Sequence, residues 1–190
     1  MNKEIKLGNI SQLGKYRKIV VIGPHRSGST IASVIIADIL KYKLINESDY
    51  FGNDPTEFVR MLMIPGNMVI HNTSFLRDIH LLNIECLVLV KRNKRAILES
   101  YKNSLKFGSE SKGGIFASIN DKAQEVILNH FGHKSGCIPD ILYKHFKKHN
   151  KNYYIVNYVD LKSHPLFIKK RIRRKEFKHI KQTEVIWNNS

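Results

Sequence analysis

At 190 residues with 42% hydrophobic content, the chain is long enough to close one ordinary core and short for two, so a single domain spanning 1–190 is expected, with 166–190 a basic C-terminal segment. Its 32 Lys and Arg against 16 Asp and Glu leave a formal charge of +16, with a pI near 9.9, which predicts attraction to polyanions: a nucleotide, a sulfated or phosphorylated acceptor, nucleic acid or an anionic membrane surface. Only Cys86 and Cys137 are present, which excludes a disulfide framework; no run of eighteen apolar residues offers a membrane span, and Met1-Asn2-Lys3-Glu4-Ile5 leads into no apolar leader, so a cytoplasmic protein is expected.

No repeat, low-complexity tract or Pro/Gly linker divides the chain, and strand-like and helix-like segments alternate. Lys18-Ile19-Val20-Val21-Ile22 is a continuous β-branched run without polar alternation, which suits a parallel strand buried on both faces. It ends at Gly23, and from Thr30 to Leu40 the apolar residues Ile31, Val34, Ile35, Ala37 and Leu40 recur near helical spacing. Asp54-Pro55-Thr56-Glu57 reads as a helix start and Pro65-Gly66-Asn67 as the turn after it. A short strand, Met68-Val69-Ile70-His71, follows, then helical spacing of Phe75, Ile79 and Leu82, and then a second strong strand, Cys86-Leu87-Val88-Leu89-Val90. A helix is expected from 94 to 105, a Ser/Gly/Lys-rich loop at 108–114, helices at 121–131 and 139–149, and a last strand at 153–158. Strands alternating with helices predict an α/β fold with a central, mainly parallel sheet flanked by helices.

Gly23-Pro24-His25-Arg26-Ser27-Gly28-Ser29-Thr30 lies between the first strand and the first helix. Backbone N–H groups of such a turn converge, and the positive end of the helix dipole adds to them, making an anion cradle. Against the ATP-binding pattern G-x-x-x-x-G-K-[ST], both glycines and Thr30 fit, while Ser29 stands where the lysine belongs and the cation, Arg26, precedes the second glycine. Further on, Val90-Lys91-Arg92-Asn93 leaves the carboxyl end of a buried strand, where ligands bind in open α/β sheets, and Ser100 follows eight positions after Arg92. An arginine fork grips phosphate bidentately and stays charged. His71 ends the short strand, 21 positions before Arg92, and imidazole titrates near working pH.

These segments resemble the sulfotransferases that use 3′-phosphoadenosine 5′-phosphosulfate (PAPS) as sulfuryl donor and release 3′-phosphoadenosine 5′-phosphate (PAP). The resemblance implies a three-layer P-loop fold. It further implies that Arg26, Ser27, Gly28, Ser29 and Thr30 hold the 5′-phosphosulfate, that Arg92 and Ser100 hold the 3′-phosphate, and that His71 is the general base on the acceptor; Arg26 is the candidate to assist the departing nucleotide in place of the family's lysine. Asn157-Tyr158-Val159-Asp160-Leu161, with Pro165 soon after, is similar to the family's Tyr-Glu-Asp-Leu segment, whose role there is mostly architectural. The chain departs from the family pattern in its short length, in Val69 where a lysine is usual, in Ile31 where some members carry an adenine-stacking aromatic, and in lacking the late Arg-Lys-Gly element, for which the basic run Lys169 to Lys178 could supply cations instead.

The acceptor class, whether a small molecule, a carbohydrate or a protein, leaves no mark in the sequence, and no metal is expected. Two other readings stand beside this one. The first is a P-loop kinase or hydrolase with a degenerate Walker A loop, which wants Mg²⁺ and an acid at a strand end where this chain has Lys91-Arg92. The second is a basic nucleic-acid-binding protein, supported by charge but by no recognisable module, so no specific nucleic acid is expected.

Overall fold

The structure, a computed structural model, describes residues 4–24, 26–49, 55–72, 82, 84–93, 95–97, 99–100, 138–149 and 152–167. In chain order its main elements are β1 (Lys18–Ile22), α1 (Ser29–Leu40), β2 (Lys43–Ile45), α2 (Pro55–Met63), β3 (Met68–His71), β4 (Cys86–Lys91), α3 (Ile138–His149) and β5 (Tyr153–Asn157). A 3-10 helix, Leu7–Lys15, precedes β1. The strands form one five-stranded sheet in the order β2-β3-β1-β4-β5, and every pairing is parallel.

The uninterrupted apolar run of β1 follows from its place in the middle of that sheet, where all five of its residues are buried. Successive side chains face opposite ways. Ile19 and Val21 pack with Ile31, Ala32, Ile35 and Ile36 of α1 and with Ile10 and Leu13 of the 3-10 helix. Val20 and Ile22 point to the other face and pack with Phe58 and Met61 of α2. Each fully buried side chain of this size stabilises the fold by about 1.5–3 kcal/mol relative to exposure. Both faces of the sheet are thereby covered, which is the α/β architecture the alternation of elements predicts.

The amino end of β1 is held by polar contacts. One carboxylate oxygen of Glu85 accepts from the backbone N–H groups of Arg17 (2.7 Å) and Lys18 (3.1 Å). The buried Lys18 ammonium donates to the carbonyls of Ile64 and, at 2.7 Å, Gly66, just past the end of α2, where a cation also complements the helix dipole. Burial and the nearby Arg17 charge push the Lys18 pKa down.

Sequence reasoning missed β2, three residues long at the sheet edge, and the 3-10 helices Leu7–Lys15, Glu47–Asp49 and Asp160–Ser163. The expected strand at 86–90 extends to Lys91, the strand at 153–158 stops at Asn157, and the helix at 139–149 begins at Ile138. The loop expected at 108–114, the helix at 121–131 and nearly all of the basic segment 166–190 fall outside the described residues, as does most of the stretch from Phe75 to Leu82. Among the described residues no helix is long and apolar enough to cross a membrane.

Candidate functional site

Three neighbouring strands, β3, β1 and β4, end in the three segments singled out by their chemistry. The register pairs Val21 with both His71 and Val88, and Ile22 with Leu89, so His71, the turn after β1 and the Arg92 segment leave the sheet along one carboxyl edge. The chain also changes direction here: from β1 it runs by way of α1 to β2 on one side, and from β3 it crosses β1 to reach β4 on the other. A crevice at such a switch point is where open α/β sheets bind ligands.

The turn itself is tightly built. Gly23 is required because a Cβ there would lie 2.4 Å from Ser27 Oγ and 3.1 Å from the Val90 carbonyl oxygen. The Ser27 N–H donates to Pro24 O at 2.9 Å. Arg26 adopts φ 65° and Gly28 φ 94°, both in the left-handed region, so the chain curls before α1 begins at Ser29. The Ala32 N–H donates back to Gly28 O at 3.0 Å, which leaves the preceding N–H groups at the helix start for other partners.

Side chains converge on this turn from both flanking strands. His71, buried at the end of β3, places Nε2 2.9 Å from Ser29 Oγ in the first turn of α1. From the β4 side, Arg92 Nη1 donates to the Arg26 carbonyl at 2.7 Å. The Arg92 guanidinium lies over the ring of Tyr158, 4.3 Å from its centroid. That ring also packs on Gly28, where a Cβ would stand 2.3 Å from Cδ2 and 2.4 Å from Cε2. Asn93 precedes the helical residues 95–97 and 99–100: its Oδ1 accepts from Ala96 N–H (3.3 Å) and its carbonyl from Ile97 N–H (3.0 Å).

Three polar atoms in the cluster are buried and have no hydrogen-bond partner among the described residues: Arg26 Nε, Ser27 Oγ and Arg92 Nε. Leaving a buried donor unmatched costs about 1–3 kcal/mol, and more when the group is charged. Arg26 in the turn and Arg92, bonded to its carbonyl, each keep a buried Nε–H without a partner among the described residues beside a helix start, and charged donors of this kind suit an anion.

The expectation of one clustered site thus meets the following geometry. Arg26, Ser27, Gly28, Ser29, His71 and Arg92 come together, and Thr30 lies exposed in the first turn of α1. Ser100 is half-buried in the helical segment after Arg92, with no described contact to the cluster. Sequence reasoning missed two contacts. The Ser29–His71 hydrogen bond joins residues 42 apart, and Tyr158, read as architectural, lies on both Gly28 and Arg92. The signal that pointed to Tyr158 was the likeness of its segment to Tyr-Glu-Asp-Leu at the end of the last expected strand, although the residue it faces could not be read from that. No group of three or more His, Cys, Asp or Glu placed to hold a metal occurs among the described residues. No protein-family model matches the chain, and no curated protein matches it.

Proposed function

We propose that the chain is a sulfotransferase of three-layer P-loop fold, acting in the cytoplasm, which moves a sulfuryl group from PAPS to a hydroxyl or amine acceptor. The observation that carries this reading is the meeting of Arg92 with the turn at 26–30: two guanidinium groups whose buried Nε–H donors are unmatched, at the start of α1. The residue pattern supports it further, since the cation stands before the second glycine and Ser29 replaces the lysine of ATP-binding loops.

The donor supplies the sulfuryl group when bound. Residues 26–30 would hold its 5′ end through backbone N–H groups, the Arg26 guanidinium and the Ser27 and Thr30 hydroxyls, stabilising charge that builds on the leaving phosphate. Arg92, with Ser100, would hold the 3′-phosphate and fix the register of the nucleotide. In the tautomer in which Ser29 Oγ donates to it, His71 Nε2 carries a lone pair, the state a general base needs, and an acceptor hydroxyl that displaces Ser29 would pass its proton to that nitrogen. The acceptor oxygen forms the new bond to sulfur as the bond from sulfur to the 5′-phosphate oxygen breaks, and that oxygen keeps the electron pair. Arg26 is the cation available to the leaving group in the absence of a lysine at Val69.

Calorimetry comparing PAP with ADP and Mg²⁺ tests the donor class. Preference for PAP is expected, and preference for ADP with Mg²⁺ would move the chain to the kinases and hydrolases. PAP release across phenol, carbohydrate and peptide acceptors tests the activity, and His71→Asn should lower kcat about 10²–10⁴-fold with little change in PAP affinity.

A further inference from the structure

We infer that Tyr158 is a positioning residue for anion binding: its ring holds the Arg92 guanidinium against the turn at 26–30 and so joins two anion-binding groups into one site. This rests on the proposed reading of residues 26–30 and of Arg92 as the two phosphate-holding parts of one nucleotide site, and goes beyond it by giving a working role to a residue of the segment after β5.

The placement begins in the sheet. β4 and β5 run parallel with Lys91 beside Asn157, so the next residue on each strand, Arg92 and Tyr158, leaves the same edge side by side. The Tyr158 N–H donates to the Lys91 carbonyl at 2.8 Å, tying the two exits together one residue before Arg92. The ring then has neighbours on three sides. Phe167 meets it edge-on with centroids 5.2 Å apart, the backbone of Gly28 lies where no Cβ fits, and the Arg92 guanidinium covers a face at 4.3 Å. A ring wedged in this way cannot turn aside without moving the glycine turn.

The consequence for Arg92 is chemical. Its Nη1 is spent on the Arg26 carbonyl and one face of its plane on Tyr158, while Nε has no partner among the described residues. A guanidinium held by its face and one edge presents its remaining N–H groups in a fixed direction, so less side-chain freedom is lost when an anion arrives. Without the ring, a long, flexible side chain is restrained by one hydrogen bond to a carbonyl. The hydroxyl of Tyr158 has no part in this, which separates a stacking role from a polar one.

The test measures dissociation constants for PAP and for inorganic pyrophosphate by calorimetry, using the full chain and the variants Tyr158→Phe, Tyr158→Leu, Arg92→Gln and Tyr158→Leu/Arg92→Gln. Tyr158→Leu should weaken binding about 10-fold, Tyr158→Phe should stay within about 3-fold of wild type, and the double variant should bind no more weakly than Arg92→Gln alone. Equal affinity of Tyr158→Leu and wild type, or additive losses in the double variant, would overturn the inference. If the wild type binds pyrophosphate or ADP with Mg²⁺ but not PAP, the sulfotransferase reading fails while the same ratios, measured on the ligand that binds, still judge Tyr158. If it binds none of them, both fail. Should Tyr158→Leu not fold, the Arg92 Nε–H resonance, identified by its loss in Arg92→Lys, decides: an upfield ring-current shift is expected in wild type and Tyr158→Phe, and a random-coil position in wild type would sink the idea.

Discussion

Replacing Gly28 by alanine probes the contact that joins the turn to the segment after β5. Gly28 has φ 94° and ψ 20°, a conformation that costs an L-residue about 1–2 kcal/mol. The added methyl would also sit 2.3 Å from Tyr158 Cδ2 and 2.4 Å from Cε2, well inside contact distance. Relief requires the ring to shift, yet Phe167 and Arg92 hold it, so an overpacking cost of about 1–3 kcal/mol is added, for a total of about 2–5 kcal/mol. In a domain of this size each kcal/mol lowers Tm by about 2–4 °C, so a drop of roughly 4–20 °C is expected, with the middle of that range favoured. The informative measurement is urea denaturation of Gly28→Ala in two backgrounds. Beside Tyr158→Ala the clash is gone and only the backbone term, about 1–2 kcal/mol, should remain. Equal losses in both backgrounds would show that the ring does not lie on the glycine, and the account of the site given above would fall with it.

Cys86 offers a test in alkali: burial pushes its thiol up to about 12 from an ordinary 9.0, so the folded chain keeps a proton that the unfolded chain sheds. The stability this represents is complete below pH 9 and is lost as pH rises toward 12, by up to roughly 4 kcal/mol at 1.36 kcal/mol per pH unit; Cys86→Ala should lack that slope in denaturation curves taken between about pH 8 and 11. For Lys18 the sign is opposite. Its pKa is lowered in the fold, so the unfolded chain binds more protons just below the ordinary 10.5, and the wild type should gain stability relative to Lys18→Met as pH climbs through that window, with a constant gap at lower pH; a shrinking gap would contradict the burial argument. Glu85→Ala, which frees the N–H groups of Arg17 and Lys18 to partly exposed surroundings, should cost about 1–2 kcal/mol in urea denaturation, and a neutral result would mean that water replaces the carboxylate fully.

Local chemistry made the central strands, α1 and the end of β3 legible, because a run such as Lys18 to Ile22 admits few placements other than the interior of a parallel sheet. The turn after β1 was legible for the same reason: two glycines, a cation and three hydroxyls between a strand and a helix constrain the backbone within eight residues. The edge strand β2 was not, since three residues carry too little pattern to stand out and their strand character comes from pairing with β3. Nor could the sequence pair Ser29 with His71, or set Arg92 on Tyr158.

Residue types and short spacings are local properties, and they determined which polar and charged groups this protein carries at its strand ends. Which of those groups touch was decided by strand order and register. His71 and Arg92 reach the same turn because β3 and β4 flank β1, and Tyr158 reaches Arg92 because β5 lies outside β4 with Asn157 level with Lys91. Those are relations between residues tens of positions apart, set by how the helices and strands pack their apolar faces together, and no local pattern in one chain records them.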